Sequence, residues 1–308
     1  MRIRVGTRGS ALALAQANYT ARRLAAAGHE TETVEISTTG DRVTDRSFTD
    51  VGAFGVFVRE LESALMAGEI DVAVHSYKDL PSRGPEELTI GAVPERVDPA
   101  DVLLVRHENA APERGGLPLA EGASVGTSAM RRRALLREAR PDLRMDLLRG
   151  NVPTRVRALA EGRFDAIVLA AAGLTRLARV DGPGRFTLPA GITIVRLDPS
   201  VFVPAPSQGA IAIQVRRDDR AVCDAVAPLD DATCRRTLHA ERAALALAEG
   251  GCTLPFGAWC TADAEGRLTL TTALGHDDGT VTRGTFTGTD PDDVAAGAWR
   301  DVSRYAVR

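Results

Sequence analysis

Asp71-Val72-Ala73-Val74-His75-Ser76-Tyr77-Lys78-Asp79-Leu80-Pro81 is the stretch that decides the fold. Val72-Ala73-Val74 is a short apolar run of the kind that makes a strand buried on both faces. The chain then turns polar within a few positions, with His75, Ser76, Lys78 and Asp79, and Pro81 stops it. Open α/β folds bind ligands where such strands end. The plain alternative is a strand leaving the core and turning at Leu80-Pro81 with surface charges beyond. The stretch alone leaves both open.

Upstream, residues 57–67 carry a helical stripe (Phe57, Val58, Leu61, Ala64, Leu65) that runs into Gly68. Residues 2–6 read as a strand, followed by Thr7-Arg8-Gly9-Ser10 and an Ala/Leu-rich helix to about Ala27, with Ser10 as N-cap and Gly28 at C′. A helix N-terminus beside Arg8 and a hydroxyl suits an anion, though an ordinary cap with a surface arginine explains it as well. Residues 33–37 give a second strand, and a polar segment of loop character runs on to Gly52. The order β-α-β-α-β implies a parallel sheet covered on both faces.

A second α/β unit opens near Asp98. It has strands at 102–106 and 164–169, a strand end at 147–149, a loop at 110–122, and helices from about 129, over 152–161 and over 170–178. Strand-like 192–197 and 210–215 flank Pro204-Ala205-Pro206-Ser207-Gln208-Gly209, and one of them is expected to return to the first domain. From about 221 the pattern changes to a long helix at 234–249, alternating strands at 268–274 and 280–287, and a last helix from Pro291. The expected domains are 1–98 with about 199–217, then 99–198, then 218–308: two α/β domains and a small α+β one.

The chain has 308 residues, 44% of them hydrophobic and 26% charged, which suits a globular protein of two or three domains. A net charge of −3 disfavours general nucleic-acid binding. The first residues enter a strand without an apolar h-region, and no apolar run reaches the roughly 20 residues that span a bilayer. Cys223, Cys234, Cys252 and Cys260 lack CxxC spacing and read as free thiols of a cytosolic protein. No zinc pattern emerges, so no metal is expected.

Two local features carry chemistry. Between Arg131 and Arg163 stand ten arginines against four acids, several where loops meet helices: Arg131 and Arg132 after Gly126-Thr127-Ser128, Arg149 and Arg155 around Gly150-Asn151. The fork of arginine binds carboxylate or phosphate bidentately, so the region suits a polyanion. Arg133, Arg137, Arg140, Arg157 and Arg163 read as solvated helix faces. Gly250-Gly251-Cys252 lifts a thiol into a loop where it can act as a nucleophile, against the general prior of an inert small cysteine.

Together these residues resemble the hydroxymethylbilane synthase (porphobilinogen deaminase) family nearly end to end. The resemblance rests on residues 7–14, 57–62 and 75–81, on Gly126-Thr127-Ser128 with Arg131-Arg132, and on Leu148-Arg149-Gly150-Asn151-Val152. It continues through Asp165-Ala166-Ile167, Ala172-Gly173-Leu174 with Arg176, Gln208-Gly209-Ala210 and Glu249-Gly250-Gly251-Cys252. It implies a transferase of porphyrin and heme biosynthesis. Four porphobilinogen molecules are added, each losing ammonia, to a dipyrromethane cofactor held by a thioether on Cys252, and hydrolysis releases the linear tetrapyrrole. It assigns Asp79 as the catalytic carboxylate, stabilising the cation left when ammonia departs. It gives Arg8, Arg131, Arg132, Arg149, Arg155 and Arg176 to binding acetate and propionate side chains or supporting the site. Ser10, Lys78, Thr127, Ser128 and Asn151 are implied hydrogen-bond partners.

The resemblance further implies two domains like those of periplasmic binding proteins with a cleft between them, and a third carrying the cysteine loop. A cytoplasmic monomer is implied, with hand-over to the next enzyme of tetrapyrrole synthesis and no nucleic-acid or membrane partner. Phe54, Ala129 and Thr253 depart from residues common in the family (lysine, serine and glutamine), which bears on individual substrate contacts and on the loop up to Phe54. A non-catalytic anion-binding module would explain the arginines, but it would need neither the Gly250-Gly251-Cys252 loop nor a domain to carry it.

Overall fold

An apolar strand run that must hide both faces needs a helical layer on each side, and the chain supplies one twice over. The computed structural model describes residues 1–36, 53–180, 185–248 and 254–304, with the backbone alone at 53–57. In chain order the elements are β1 (Arg2–Thr7), α1 (Ala11–Ala26), β2 (Glu30–Glu35), α2 (Ala53–Met66), β3 (Val72–Ser76), β4 (Leu88–Ala92), β5 (Asp101–Arg106), β6 (Ala110–Arg114), β7 (Leu117–Leu119), β8 (Ser124–Gly126) and α3 (Met130–Ala139). They continue with β9 (Arg144–Asp146), α4 (Val152–Ala160), β10 (Ala166–Ala170), α5 (Ala171–Ala178), β11 (Ile192–Arg196), β12 (Ile211–Arg216), α6 (Arg220–Val226), α7 (Ala232–Leu247), β13 (Phe256–Ala262), β14 (Leu268–Gly275), β15 (Val281–Gly288) and α8 (Pro291–Ser303).

The chain divides into two units. The first takes Met1–Val97 and Gly209–Arg235, the second Asp98–Gln208 and Arg236–Arg308. In the first, the sheet order is β2-β1-β3-β12-β4, with β2, β1 and β3 parallel and β12 antiparallel to both its neighbours. In the second it is β9-β8-β10-β5-β11, with β9, β8 and β10 parallel and β5 antiparallel to both its neighbours. The antiparallel strand is in each case the first strand after the chain crosses from the other unit. The expected return of residues 210–215 to the first domain is therefore met by β12. The second unit also holds the antiparallel sheet β13-β14-β15.

The likeness of the two sheets extends to single residues. Val5-Gly6 pairs with Val72-Ala73, and Val125-Gly126 pairs with Ala166-Ile167. Asp71, just before β3, accepts the Arg4 backbone N–H at 2.9 Å; Asp165, just before β10, accepts that of Ser124 at 2.7 Å. A Cβ on Gly6 would lie 2.2 Å from Ile70 Cδ1, and one on Gly126 would lie 3.0 Å from Phe164 Cδ1, so both glycines permit the same close approach. Ile3, Val5, Val72, Val74, Ile211 and Ile213 build the first core; Leu103, Val105, Val125, Ala166 and Val168 contribute to the second.

Three details differ from the sequence reading. The loop expected at 110–122 contains the hairpin β6-β7, turned by Gly115 and Gly116 with φ of 58° and 74°. The strands β4 and β13 were not expected: β4 has a buried-at-both-ends pattern without alternation, and β13 follows the cysteine loop directly. Arg140, expected on a solvated face, is buried at 2% exposure, bonding Asp142 and the carbonyls of Leu119 and Ala120.

Candidate functional site

In the first unit, β1 and β3 are parallel neighbours, so Arg8-Gly9-Ser10 and Tyr77-Lys78-Asp79 leave the sheet at the same edge. Residues Tyr77–Asp79 form a single 3-10 turn, closed by the Leu80 N–H on the Tyr77 carbonyl at 3.2 Å, and buried Leu80 anchors its end. Lys78 and Asp79 are half-buried there. Ser10 caps α1, its Oγ accepting from the Ala13 N–H at 3.3 Å, while Arg8 stands half-buried just before it.

The strand end is held by a chain of buried polar groups. Gln214 Nε2 donates to Glu62 Oε1 at 3.0 Å, and Gln214 Oε1 lies 3.0 Å from His75 Nε2. A carboxylate only accepts, so Glu62 turns the amide oxygen of Gln214 toward the ring, and His75 Nε2 must carry the proton. Burial, opposed by the Gln214 bond, pushes the His75 pKa down to about 4. His75 is thus neutral near pH 7 and serves the scaffold. Ser76 is tied to buried Gln16 at 2.8 Å.

In the second unit, Thr127 and Ser128 follow β8, Arg149-Gly150-Asn151 comes after β9, and α5 follows β10, again at the carboxyl edge of the parallel strands. Buried Thr127 accepts the Ala129 N–H at 3.4 Å, and Ser128 Oγ donates to the Leu148 carbonyl. Asn151 caps α4, accepting from the Thr154 N–H at 2.9 Å, and Arg155 Nε donates to the Gly150 carbonyl at 2.6 Å. Arg149 is exposed, and Arg176 lies half-buried in the last turn of α5.

Arg131 and Arg132 are different in kind: both are buried and converge on Asp101, the first residue of β5, which is fully buried. Arg132 donates Nε and Nη2 to Asp101 Oδ1 at 3.1 and 2.7 Å, and Nη1 to the Val168 carbonyl at 2.9 Å. Arg131 Nη1 lies 2.8 Å from Asp101 Oδ2 and donates to the Val203 carbonyl at 2.8 Å. Gln208 Nε2 adds a bond to Asp101 Oδ1 at 3.0 Å and another to the Pro99 carbonyl at 2.8 Å. Burial alone would raise the Asp101 pKa, but the two guanidinium groups outweigh it and hold the carboxyl well below the usual range.

The sequence-derived residues therefore divide between the units: Arg8, Ser10, Lys78 and Asp79 in the first, and Thr127, Ser128, Arg131, Arg132, Arg149, Asn151, Arg155 and Arg176 in the second. Cys252, with Gly250, Gly251 and Thr253, lies outside the described residues, as does the side chain of Phe54. The sequence reading gave Asp101 and Gln208 no role in the site. A signal existed, because an acid opening the run Val102-Leu103-Leu104-Val105 must be buried and needs cations. Among the described residues no group of three or more His, Cys, Asp or Glu could hold a metal, and no helix is long and apolar enough to cross a membrane.

Comparison with known proteins matches the chain in two stretches. A family profile for the porphobilinogen deaminase dipyromethane cofactor binding domain matches residues 3–224, and one for the porphobilinogen deaminase C-terminal domain matches residues 236–298. Porphobilinogen deaminase of Bacillus cereus is 43% identical over 296 residues, covering 95% of this chain and 91% of that protein. That of Brevibacillus brevis is 43% identical over 291 residues, covering 94% and 89%. Solved structures align more loosely: the periplasmic VFT2 domain of Bordetella pertussis BvgS gives a TM-score of 0.39 at 16% identity, over 73% of this chain and 85% of that one. With two profiles spanning most of its length and relatives at this identity, the chain belongs to the porphobilinogen deaminase family.

Proposed function

We propose that Asp79, at the exit of β3, is the catalytic carboxylate of this enzyme, and that Cys252 is the attachment point of its primer. The activity is that of the family: stepwise deaminative condensation of four porphobilinogen molecules, followed by hydrolysis to hydroxymethylbilane. The observation that carries the Asp79 reading is its placement. A half-buried carboxylate on a single turn, behind a strand locked by Glu62, Gln214, His75, Gln16 and Ser76, is held in place before any substrate arrives. There it can accept pyrrole N–H hydrogen bonds and stabilise the cation left when ammonia departs. It can also take up the proton lost as the new pyrrole ring regains aromaticity.

The dipyrromethane cofactor of the family supplies the covalent primer to which substrate is joined. The residues at the second edge fit a group bearing carboxylates. Nε and Nη2 of Arg131 have no partner among the described residues, and the trio Arg131, Arg132 and Asp101 carries one net positive charge. Arg8, Arg149, Arg155 and Arg176 are the further carboxylate contacts of this reading; Ser10, Lys78, Thr127, Ser128 and Asn151 supply hydrogen bonds or fix the loops. Gly257, five residues after Cys252 in sequence, lies where an added Cβ would be 3.2 Å from Arg131 Cδ. The segment 218–308 acts in this reading as a third domain that carries that loop. The enzyme works as a cytoplasmic monomer that hands its product to the next enzyme of the pathway.

The Cys252 peptide of protein made with porphobilinogen available should carry the added mass of two pyrrole units. Peptide mass spectrometry that finds only the unmodified thiol would remove Cys252 from the role given to it.

A further inference from the structure

The structure assigns Asp101 a part of its own: we propose that it is the positioning residue that sets Arg131 up to receive a carboxylate of a pyrrole side chain. This rests on the reading of the arginine pair as carboxylate contacts. The donors divide unequally between the two arginines. All three nitrogens of Arg132 are engaged, two on Asp101 Oδ1 and one on the Val168 carbonyl, so Arg132 serves as a tether. Among the described residues Arg131 engages Nη1, which lies 2.8 Å from Asp101 Oδ2 and donates to the Val203 carbonyl, with its guanidinium 6.0 Å from the Phe202 ring centre. Its Nε and Nη2 have no partner among the described residues, and that edge of a guanidinium carries the parallel pair of N–H donors that a carboxylate takes bidentately.

Two buried cations without an anion would repel each other and be costly to desolvate, and two cations fully neutralised would not attract a ligand. One carboxylate between two guanidinium groups leaves a single positive charge. That matches one carboxylate of a pyrrole side chain.

Asp101 is itself held from a second direction. Gln208 donates to its Oδ1 and to the Pro99 carbonyl, which ties together the two segments where the chain passes between units, at Val97–Asp98 and at Gln208–Gly209. Next to Gln208, Ser207 is the non-glycine residue with a left-handed φ, 62°, among the described residues, and its N–H donates to buried Glu241 at 2.7 Å. A backbone held in that region persists only where its surroundings over-determine it. Here the effect is to turn the Gln208 side chain onto Asp101. Asp101 therefore acts through Arg131, and the crossing segments hold Asp101.

The test compares Asp101→Asn, Asp101→Glu, Gln208→Ala and Arg131→Gln in the complete chain. Asp101→Asn keeps the shape and removes the charge; it should raise KM for porphobilinogen by about tenfold with a smaller change in kcat. Asp101→Glu should recover most of that loss. In single turnovers of the primer-loaded protein, the porphobilinogen concentration giving half the maximal rate, which reads binding before the next cycle, should rise by a similar factor, about tenfold, for Asp101→Asn. A folded Asp101→Asn protein with KM and binding both unchanged would overturn the assignment. If that variant does not fold, Gln208→Ala carries the test, with an expected rise in KM of about threefold; an unchanged KM refutes it. Should Arg131→Gln also leave KM and binding unaltered, the carboxylate reading of the arginines fails first. If Arg131→Gln weakens binding while the Asp101 variants do not, that reading stands and the Asp101 assignment alone is lost.

Discussion

The two five-stranded sheets share strand order, direction and register, yet the same positions carry opposite chemistry. Val5-Gly6-Thr7 and Val125-Gly126-Thr127 occupy matching places, and so do Asp71 and Asp165. Beyond that frame the chain diverges. β3 ends in His75-Ser76 and continues into Lys78-Asp79, whereas β10 ends in Leu169-Ala170 and continues into the small residues that open α5. The crossing strand differs too: Ile211 pairs with Ser76, while Asp101 pairs with Ala170. One sheet thus carries an acid past the end of its third strand, and the other carries an acid at the start of its crossing strand with two arginines around it. Topology settles where the edges fall; the residues at those edges decide what each can do.

The largest effect should come from Asp79. Asp79→Asn keeps the size of the side chain and most of the local structure, so folding is expected to survive. Turnover should drop by about a thousandfold, the scale of losing a preorganised charge at a developing cation. Single-turnover kinetics with porphobilinogen would measure it. Near-normal turnover would mean that the acid of the first sheet is not where the reaction happens, and the asymmetry between the edges would lose its functional meaning.

A second substitution exchanges the crossing strands. Ile211→Asp places in the first sheet the acid that Asp101 provides in the second, but among Val74, Ile213 and their apolar neighbours. A buried carboxylate without a partner should cost about 3–4 kcal/mol at neutral pH, read by urea unfolding, and less at low pH where it takes up a proton. A cost below about 1 kcal/mol would show that this register accepts an acid without arginines, and the cluster around Asp101 would need another explanation.

The frame was largely legible in the sequence and the electrostatics only partly. The run Val72-Ala73-Val74, the cap at Ser10, the Gly28 stop and the return of residues 210–215 all rest on local pattern, and the structure has them. The hairpin β6-β7 was hidden because its glycines and prolines look like a loop until their pairing is known. The repeated Val-Gly-Thr was in plain view as a sign of two related sheets, but three residues gain meaning only once register is seen. Arg132 and Arg133 share a helix that Arg140 follows, and nothing in their spacing says which guanidinium turns inward. Burial of a charge depends on its partner, and Asp101 lies 30 residues from Arg131 in sequence (131 − 101).

The third test is the smallest and isolates the scaffold beneath Asp79. Where the second sheet has Leu169, the first has His75, whose pKa falls from 6.5 to about 4 on folding. Between those values the unfolded chain binds a proton that the folded chain does not, so stability rises with pH across the window and is lost as pH falls from 6.5 toward 4. The full loss is about 3 kcal/mol. Carboxylates such as Asp71, Asp98 and Asp101, all held below 3.8, act at lower pH and do not obscure it. His75→Gln can still donate to Gln214 but has nothing to titrate, so its urea-unfolding free energy should fall by about 3 kcal/mol less than that of the unaltered protein between pH 6.5 and 4. Equal slopes for the two proteins would mean that the ring takes up its proton in the folded state, and the locked Glu62-Gln214-His75 chain could not then be what steadies the turn carrying Asp79.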